Sequence, residues 1–85
     1  MKEIWCVIEC SSDGTIYDPD FFGSKEEAIE FIYQDANECY GQSFNPGDAN
    51  IRIIDGGLRA SVWSDEYRCT WEAFEVPSNV ARALI

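Results

Sequence analysis

Apolar positions alternate along the first stretch of the chain. Ile4, Cys6, Ile8 and Cys10 share one side of an extended segment, and Trp5 and Val7 share the other. Apolar residues on both sides predict an interior strand rather than an edge. Ser11-Ser12-Asp13-Gly14 reads as a turn, with Asp13-Gly14 as a hairpin signal. Thr15-Ile16-Tyr17 is expected to return as a short second strand. Pro19 then ends it, because proline cannot donate to a ladder.

The period changes after residue 23. Ala28, Ile29, Ile32, Tyr33, Ala36, Cys39 and Tyr40 recur at helical spacing and predict one apolar stripe. Ser24-Lys25-Glu26-Glu27 fits a capping box, with Ser24 at the N-cap and Glu27 reaching back. Gly41 is the expected stop. Glu26, Glu27, Glu30, Asp35 and Glu38 fall mostly off the stripe, and none has a Lys or Arg three or four residues away. The pattern therefore predicts an acidic, uncompensated outer helix face.

Gln42 to Asn50 reads as a loop, punctuated by Asn45-Pro46-Gly47. Three strands follow: Ile51 to Ile54, Gly57 to Trp63, and Tyr67 to Val76. Two-residue turns at Asp55-Gly56 and Asp65-Glu66 set their register. Ile53 is then expected opposite Leu58, Val62 opposite Cys69, Ala60 opposite Trp71, and Arg59 opposite Glu72. The Gly56-Gly57 doublet leaves room for a bulge. In this register Ile51, Ile53, Leu58, Ala60, Val62, Cys69, Trp71 and Ala73 make one apolar face for the helix. Arg52, Ile54, Arg59, Ser61, Trp63, Arg68, Thr70, Glu72 and Phe74 make the other. Pro77-Ser78-Asn79 begins a short C-terminal helix through Val80 and Leu84.

The order β-β-α-β-β-β plus a terminal helix predicts an α+β fold. Residues 1–85 form a single small domain, with an antiparallel-rich sheet of four to five strands packed on one main helix. Composition agrees with a packed core, since 46% of the 85 residues are hydrophobic.

Charge narrows the partners. Sixteen Asp and Glu against six Lys and Arg, with no His, leave a formal net charge of −10. That sign argues against direct binding to nucleic acid or to anionic membranes. No apolar run reaches the ~20 residues that span a bilayer. Glu3 stands where a signal peptide needs its apolar stretch, so a cytoplasmic location is expected.

Cys6, Cys10, Cys39 and Cys69 are expected to be reduced. Cys6 and Cys10 lie about 13 Å apart on one extended strand, too far to bridge. No C-x-x-C pair marks a zinc or thioredoxin-type site. The four read as small hydrophobes in a reducing compartment.

Little points to catalysis. Without His, a Ser or Cys nucleophile would need a carboxylate or Lys as base, and no local motif supplies one. No Gly-rich phosphate loop occurs. The acid pairs Asp65-Glu66, Glu26-Glu27 and Asp18/Asp20 lie in turns or at a helix start, where carboxylates are solvated. Asp13, Asp18 and Asp20 do not match an EF-hand loop. No enzyme activity, cofactor or metal is expected.

Two surfaces remain. One is acidic: Asp18, Asp20, Glu26, Glu27, Glu30, Asp35 and Glu38 either serve solubility alone or are the candidate partner-binding residues, suited to a protein with a basic surface. Tyr17, Phe21, Phe22 and Tyr40 near the helix ends are candidate anchors; Phe21 and Phe22 serve equally as core residues at the helix start. The other surface is the sheet face away from the helix, where Arg52, Arg59, Trp63, Arg68 and Phe74 collect. These residues either pair across strands, Arg59 with Glu72 and Arg68 on Trp63, or form an interface for a dimer or partner.

The expected function is a small acidic, non-enzymatic binding protein, an inhibitor occupying a basic nucleic-acid-binding surface of another protein. By analogy of size, charge and layout, its concrete form is a phage-encoded anti-CRISPR or anti-restriction protein. The alternative is a module that self-associates through the Arg/Trp sheet face.

Overall fold

The computed structural model describes residues 3–42 and 47–77. The elements run β1 (Trp5–Ser11), β2 (Asp20–Phe22), α1 (Lys25–Gln42), β3 (Asn50–Ile54), a 3₁₀ turn (Asp55–Gly57), β4 (Arg59–Trp63) and β5 (Arg68–Glu75). The five strands form one antiparallel sheet in the order β2-β1-β5-β4-β3, with α1 against one face. This is the α+β fold expected, with β1 inside the sheet. The C-terminal helix expected from Pro77 falls outside the described residues, apart from Pro77 itself.

The register of the last two strands follows the alternation. Val62 lies opposite Cys69, Ala60 opposite Trp71, and Arg59 opposite Glu72. The face toward α1 closes on Val7, Ala28, Ile32, Ala36, Ala60, Val62, Cys69, Trp71 and Ala73, all buried. Phe22 packs there too, its ring 5.1 Å from that of Phe31, so of the two phenylalanines it is the core residue. Phe21, one residue earlier, lies opposite Cys6 and is exposed.

The second strand is not where the turn signals placed it. Ile16 makes only an isolated bridge to Cys10 and is exposed, and the strand forms at Asp20–Phe22, just after Pro19. The physical reason is burial: pairing there seats Phe22 in the core opposite Trp5, whereas Ile16 stays 73% exposed. Ser11 still receives its turn, since its backbone N–H donates to the Thr15 carbonyl at 2.9 Å.

The β3–β4 connection is also longer than expected. Ile53 faces Ala60 rather than Leu58, and Ile54 faces Arg59, so four residues turn instead of two. Asp55 (φ 54°) and Gly56 (φ 67°) adopt the left-handed conformation that an Asp-Gly hairpin turn uses. Gly57 follows at φ 102° and is buried against α1; a Cβ there would come within 2.6 Å of Ile29 Cγ2 and 2.8 Å of Tyr33 Cε2. The turn is drawn onto the helix, which consumes two more residues. A shift of two keeps every side chain on its expected face.

Of the expected capping box, the Ser24 half is present: the Glu27 backbone N–H donates to Ser24 Oγ at 3.2 Å. A second cap comes from far away in sequence. Glu3 Oε1 accepts from the Lys25 backbone N–H and from Trp5 Nε1, each at 3.2 Å, which ties the helix start to β1. The helix continues one residue past Gly41 to Gln42. No helix among the described residues is long and apolar enough to cross a membrane.

Candidate binding surfaces

The seven acids singled out in the sequence do not form one face. Glu26, Glu27, Glu30 and Glu38 are exposed on the outer side of α1. Glu38 accepts a long bond of 3.5 Å from Gln34 Nε2, and none of the four is ion-paired among the described residues. Glu30 and Glu38 border a shallow depression with Tyr33, Gln34 and Asn37. Asp18 and Asp20 are exposed before the helix, Asp20 at the start of edge strand β2.

Asp35 departs from that set. It turns inward and is half-buried, and its Oδ2 accepts from the indole Nε1–H of buried Trp71 at 2.8 Å. The apolar stripe is correspondingly rotated. Ala28, Ile32 and Ala36 are its buried centre, and Phe31 and Cys39 flank it, while Tyr33 and Tyr40 are exposed at 45% and 41%. Asp35 follows Phe31 by four and Ile32 by three, so helical geometry places it on the sheet side with them.

Asp35 meets Glu9 there. Glu9 lies directly opposite Trp71 in the β1–β5 ladder, on the face that also carries Trp5 and Val7. Both acids line a cleft of about 340 Å³ between the sheet and the second half of α1. Burial pushes the Glu9 carboxyl up to about 7. The neighbouring Asp35 adds to that rise, Trp71 opposes it, and the Asp20 charge adds a little more. Sequence reasoning missed Glu9, although a signal was present: continuing the Trp5, Val7 alternation lands on it. On the cleft's other side stand Tyr67, Cys69 and Tyr17. Nearby Ser11 lowers the Tyr67 phenol, but Cys69, Tyr17 and burial outweigh it and push the phenol up to about 12.

The turn at residues 11–14 is braced separately. Ser11 Oγ and the Thr15 backbone N–H both donate to Asp13, and these bonds hold its carboxyl below the usual range. Asp13 is thereby committed to its own turn.

The opposite sheet face carries the second candidate set. Arg59 bridges Glu72 at 3.2 Å and Asp55 at 3.6 Å. The Arg68 guanidinium lies 5.0 Å from the Trp63 ring centroid. Both cross-strand pairings expected from the register are present. Arg52, by contrast, is exposed and forms no ion pair among the described residues. Arg52, Arg59 and Glu72 line an open groove of about 600 Å³, with Ile8, Cys10, Ile54 and Phe74 along it. Ile54 and Phe74 are 38% and 42% exposed.

Among the described residues no disulfide forms; Cys6 and Cys69 are buried, and Cys10 and Cys39 are half-buried. Burial, with a smaller contribution from the Asp20 charge, raises the Cys6 thiol above its ordinary value. Among the described residues no group of three or more His, Cys, Asp or Glu is placed to hold a metal ion. No protein-family model, curated protein or solved structure matches this chain.

Proposed function

We propose that this protein is a non-enzymatic binder that sets its acidic side into a basic, nucleic-acid-binding surface of another protein. The observation that supports this most is the outer side of α1, where Glu26, Glu27, Glu30 and Glu38 are exposed and free of ion pairs among the described residues. A chain of net charge −10 with such a face attracts a basic groove from a distance and speeds encounter. Lasting affinity needs desolvated anchors, and exposed Tyr33 and Tyr40 on the same helix, with Phe21 before its start and Tyr17 beside its second half, are of the right kind. Phe22 drops out of that role because it is in the core. Asp35 drops out because it faces Trp71. The concrete form of the proposal is an inhibitor that blocks the nucleic-acid channel of a CRISPR or restriction nuclease in the cytoplasm.

The test is a triple reversal, Glu26→Lys, Glu30→Lys and Glu38→Lys, used as bait beside the wild type in a lysate pull-down across a salt series. The wild type should retain a nucleic-acid-handling protein at low salt and release it as salt screens charges beyond about 8 Å. The variant should retain none at any salt while keeping its melting temperature. Full retention by the variant would remove this face from consideration.

A second reading is self-association through the sheet's open face, favoured by the exposed Ile54 and Phe74 beside the groove. It predicts a dimer in sedimentation that survives high salt, because apolar burial holds it.

A further inference from the structure

We infer that the outer edge of β3 takes up an extended, acidic segment of a partner protein as a further strand of the sheet, with a carboxylate of that segment meeting Arg52. The sheet runs β2-β1-β5-β4-β3, so β2 and β3 are its two edges. An edge strand leaves a row of backbone N–H and C=O groups without ladder partners, and that row can pair with another chain. The two edges are not equally open. β2 has only three residues, Asp20–Phe22, and directly follows Pro19. Its shortness and the adjoining proline discourage an added strand. β3 has five residues, Asn50–Ile54, with no Pro, Gly or Lys among them. It pairs with β4 residue for residue. Among the described residues no other backbone hydrogen bond reaches residues 50–54.

The side chains of β3 define what fits beside it. Ile51 and Ile53 face α1 and pack against the core, yet stay half-buried. An added strand with apolar residues on that side would cover their remaining surface. Arg52 lies between them in sequence and points to the other face, where it is exposed and forms no ion pair among the described residues. Arg59 and Glu72 line the groove on that face with it. Arg59 already holds Glu72 at 3.2 Å and Asp55 at 3.6 Å. Arg52 is therefore the groove's cation left to answer an incoming carboxylate. Opposite charges across adjacent strands stabilise the pairing, and like charges oppose it. The excess negative charge elsewhere on the chain does not cancel this, since salt screens exposed charges beyond about 8 Å.

A second copy of the chain is a poorer occupant. The antiparallel pairing of β3 with its own copy that overlaps all five residues is centred on Arg52 and sets two guanidinium groups opposite each other. It also joins two chains of net charge −10. The complementary occupant is another protein's strand, apolar where it flanks Ile51 and Ile53 and acidic where it meets Arg52. Its main-chain hydrogen bonds supply affinity, and Arg52 supplies selectivity.

The experiment titrates the nitrogen-15-labelled chain with two synthetic peptides of about ten residues, each alternating valine and threonine. One carries glutamate in place of a central threonine, the other lysine. Amide shifts and slowed amide exchange should concentrate at residues 50–54. The glutamate peptide should bind about two- to fivefold more tightly than the lysine peptide. Arg52→Glu, a change at an exposed position, should reverse that order. Binding of neither peptide, shifts centred on β2, or the same preference in both proteins would overturn the proposal. Shifts at residues 50–54 that depend on protein concentration without peptide would overturn it in favour of a second copy. If Arg52→Glu does not fold, the wild type decides: equal binding of the two peptides defeats the proposal, and preference for glutamate sustains it. The reversal at Glu26, Glu30 and Glu38 leaves this edge untouched, so the two tests fail independently.

Discussion

Ala60, Val62, Cys69 and Trp71 point toward α1 and are buried. Arg59, Ser61, Arg68 and Thr70, one residue away on the same strands, point outward and are at least partly exposed. The two faces handle charge differently. On the outer face Arg59 reaches Glu72 and Asp55, and Arg68 lies over Trp63, so charges are matched sideways among well-solvated groups. On the inner face no cation among the described residues lines the cleft at the end of the core, and Asp35 there accepts from the Trp71 indole with Glu9 lining the same cleft. Solvent screening makes the first arrangement cheap and weak. Partial burial makes the second dependent on pH.

Two tryptophans put the largest number on this contrast. Trp71, 2% exposed, packs in the core and fixes Asp35. Its replacement by Ala should cost about 3–5 kcal/mol in urea unfolding. The same change at half-buried Trp63 should cost about 1 kcal/mol, because its main loss is the contact with Arg68. Equal costs would mean that the two faces are equally packed.

Gly57 probes the seam where the β3–β4 turn meets the helix. Gly57→Ala meets a left-handed backbone and overlaps Ile29 and Tyr33. A loss of about 1–3 kcal/mol is expected from the backbone strain, with the overlap added to it. Gly56→Ala also has positive φ, but nothing lies within 4 Å of its Cβ. It should cost less, and the difference between the two measures the turn's packing on α1.

The smallest effect belongs to the outer face. Arg59→Ala breaks two ion pairs whose side chains are more than half exposed. It should change unfolding stability by at most about 1 kcal/mol, and less in high salt. A larger, salt-insensitive loss would show that this face is better shielded than its geometry suggests.

Much of this architecture was legible beforehand because side-chain period alone encodes it. The twofold alternation of residues 58–74 places each residue on its face, and a turn longer by two residues leaves that assignment intact. The threefold-to-fourfold recurrence of Ala28, Ile32 and Ala36, with Ser24 before it, defines the helix and its start. The short β2 was not legible, because three residues carry no period and their pairing depends on Trp5 and Phe22 meeting across strands. Asp35 was misplaced because a charged residue on a helix is solvated by default, and that default yields only when another element brings a donor to it.

The sequence by itself determined the fold class, the composition of both sheet faces, the helix N-cap and the excess of negative charge, since each depends on local spacing or on counting. Only the tertiary structure decided that Glu9 meets Asp35 under Trp71, that Glu3 caps α1, and that Gly57 presses on Ile29 and Tyr33. Those contacts join residues more than twenty positions apart, and their energies depend on burial and distance, which no local pattern contains.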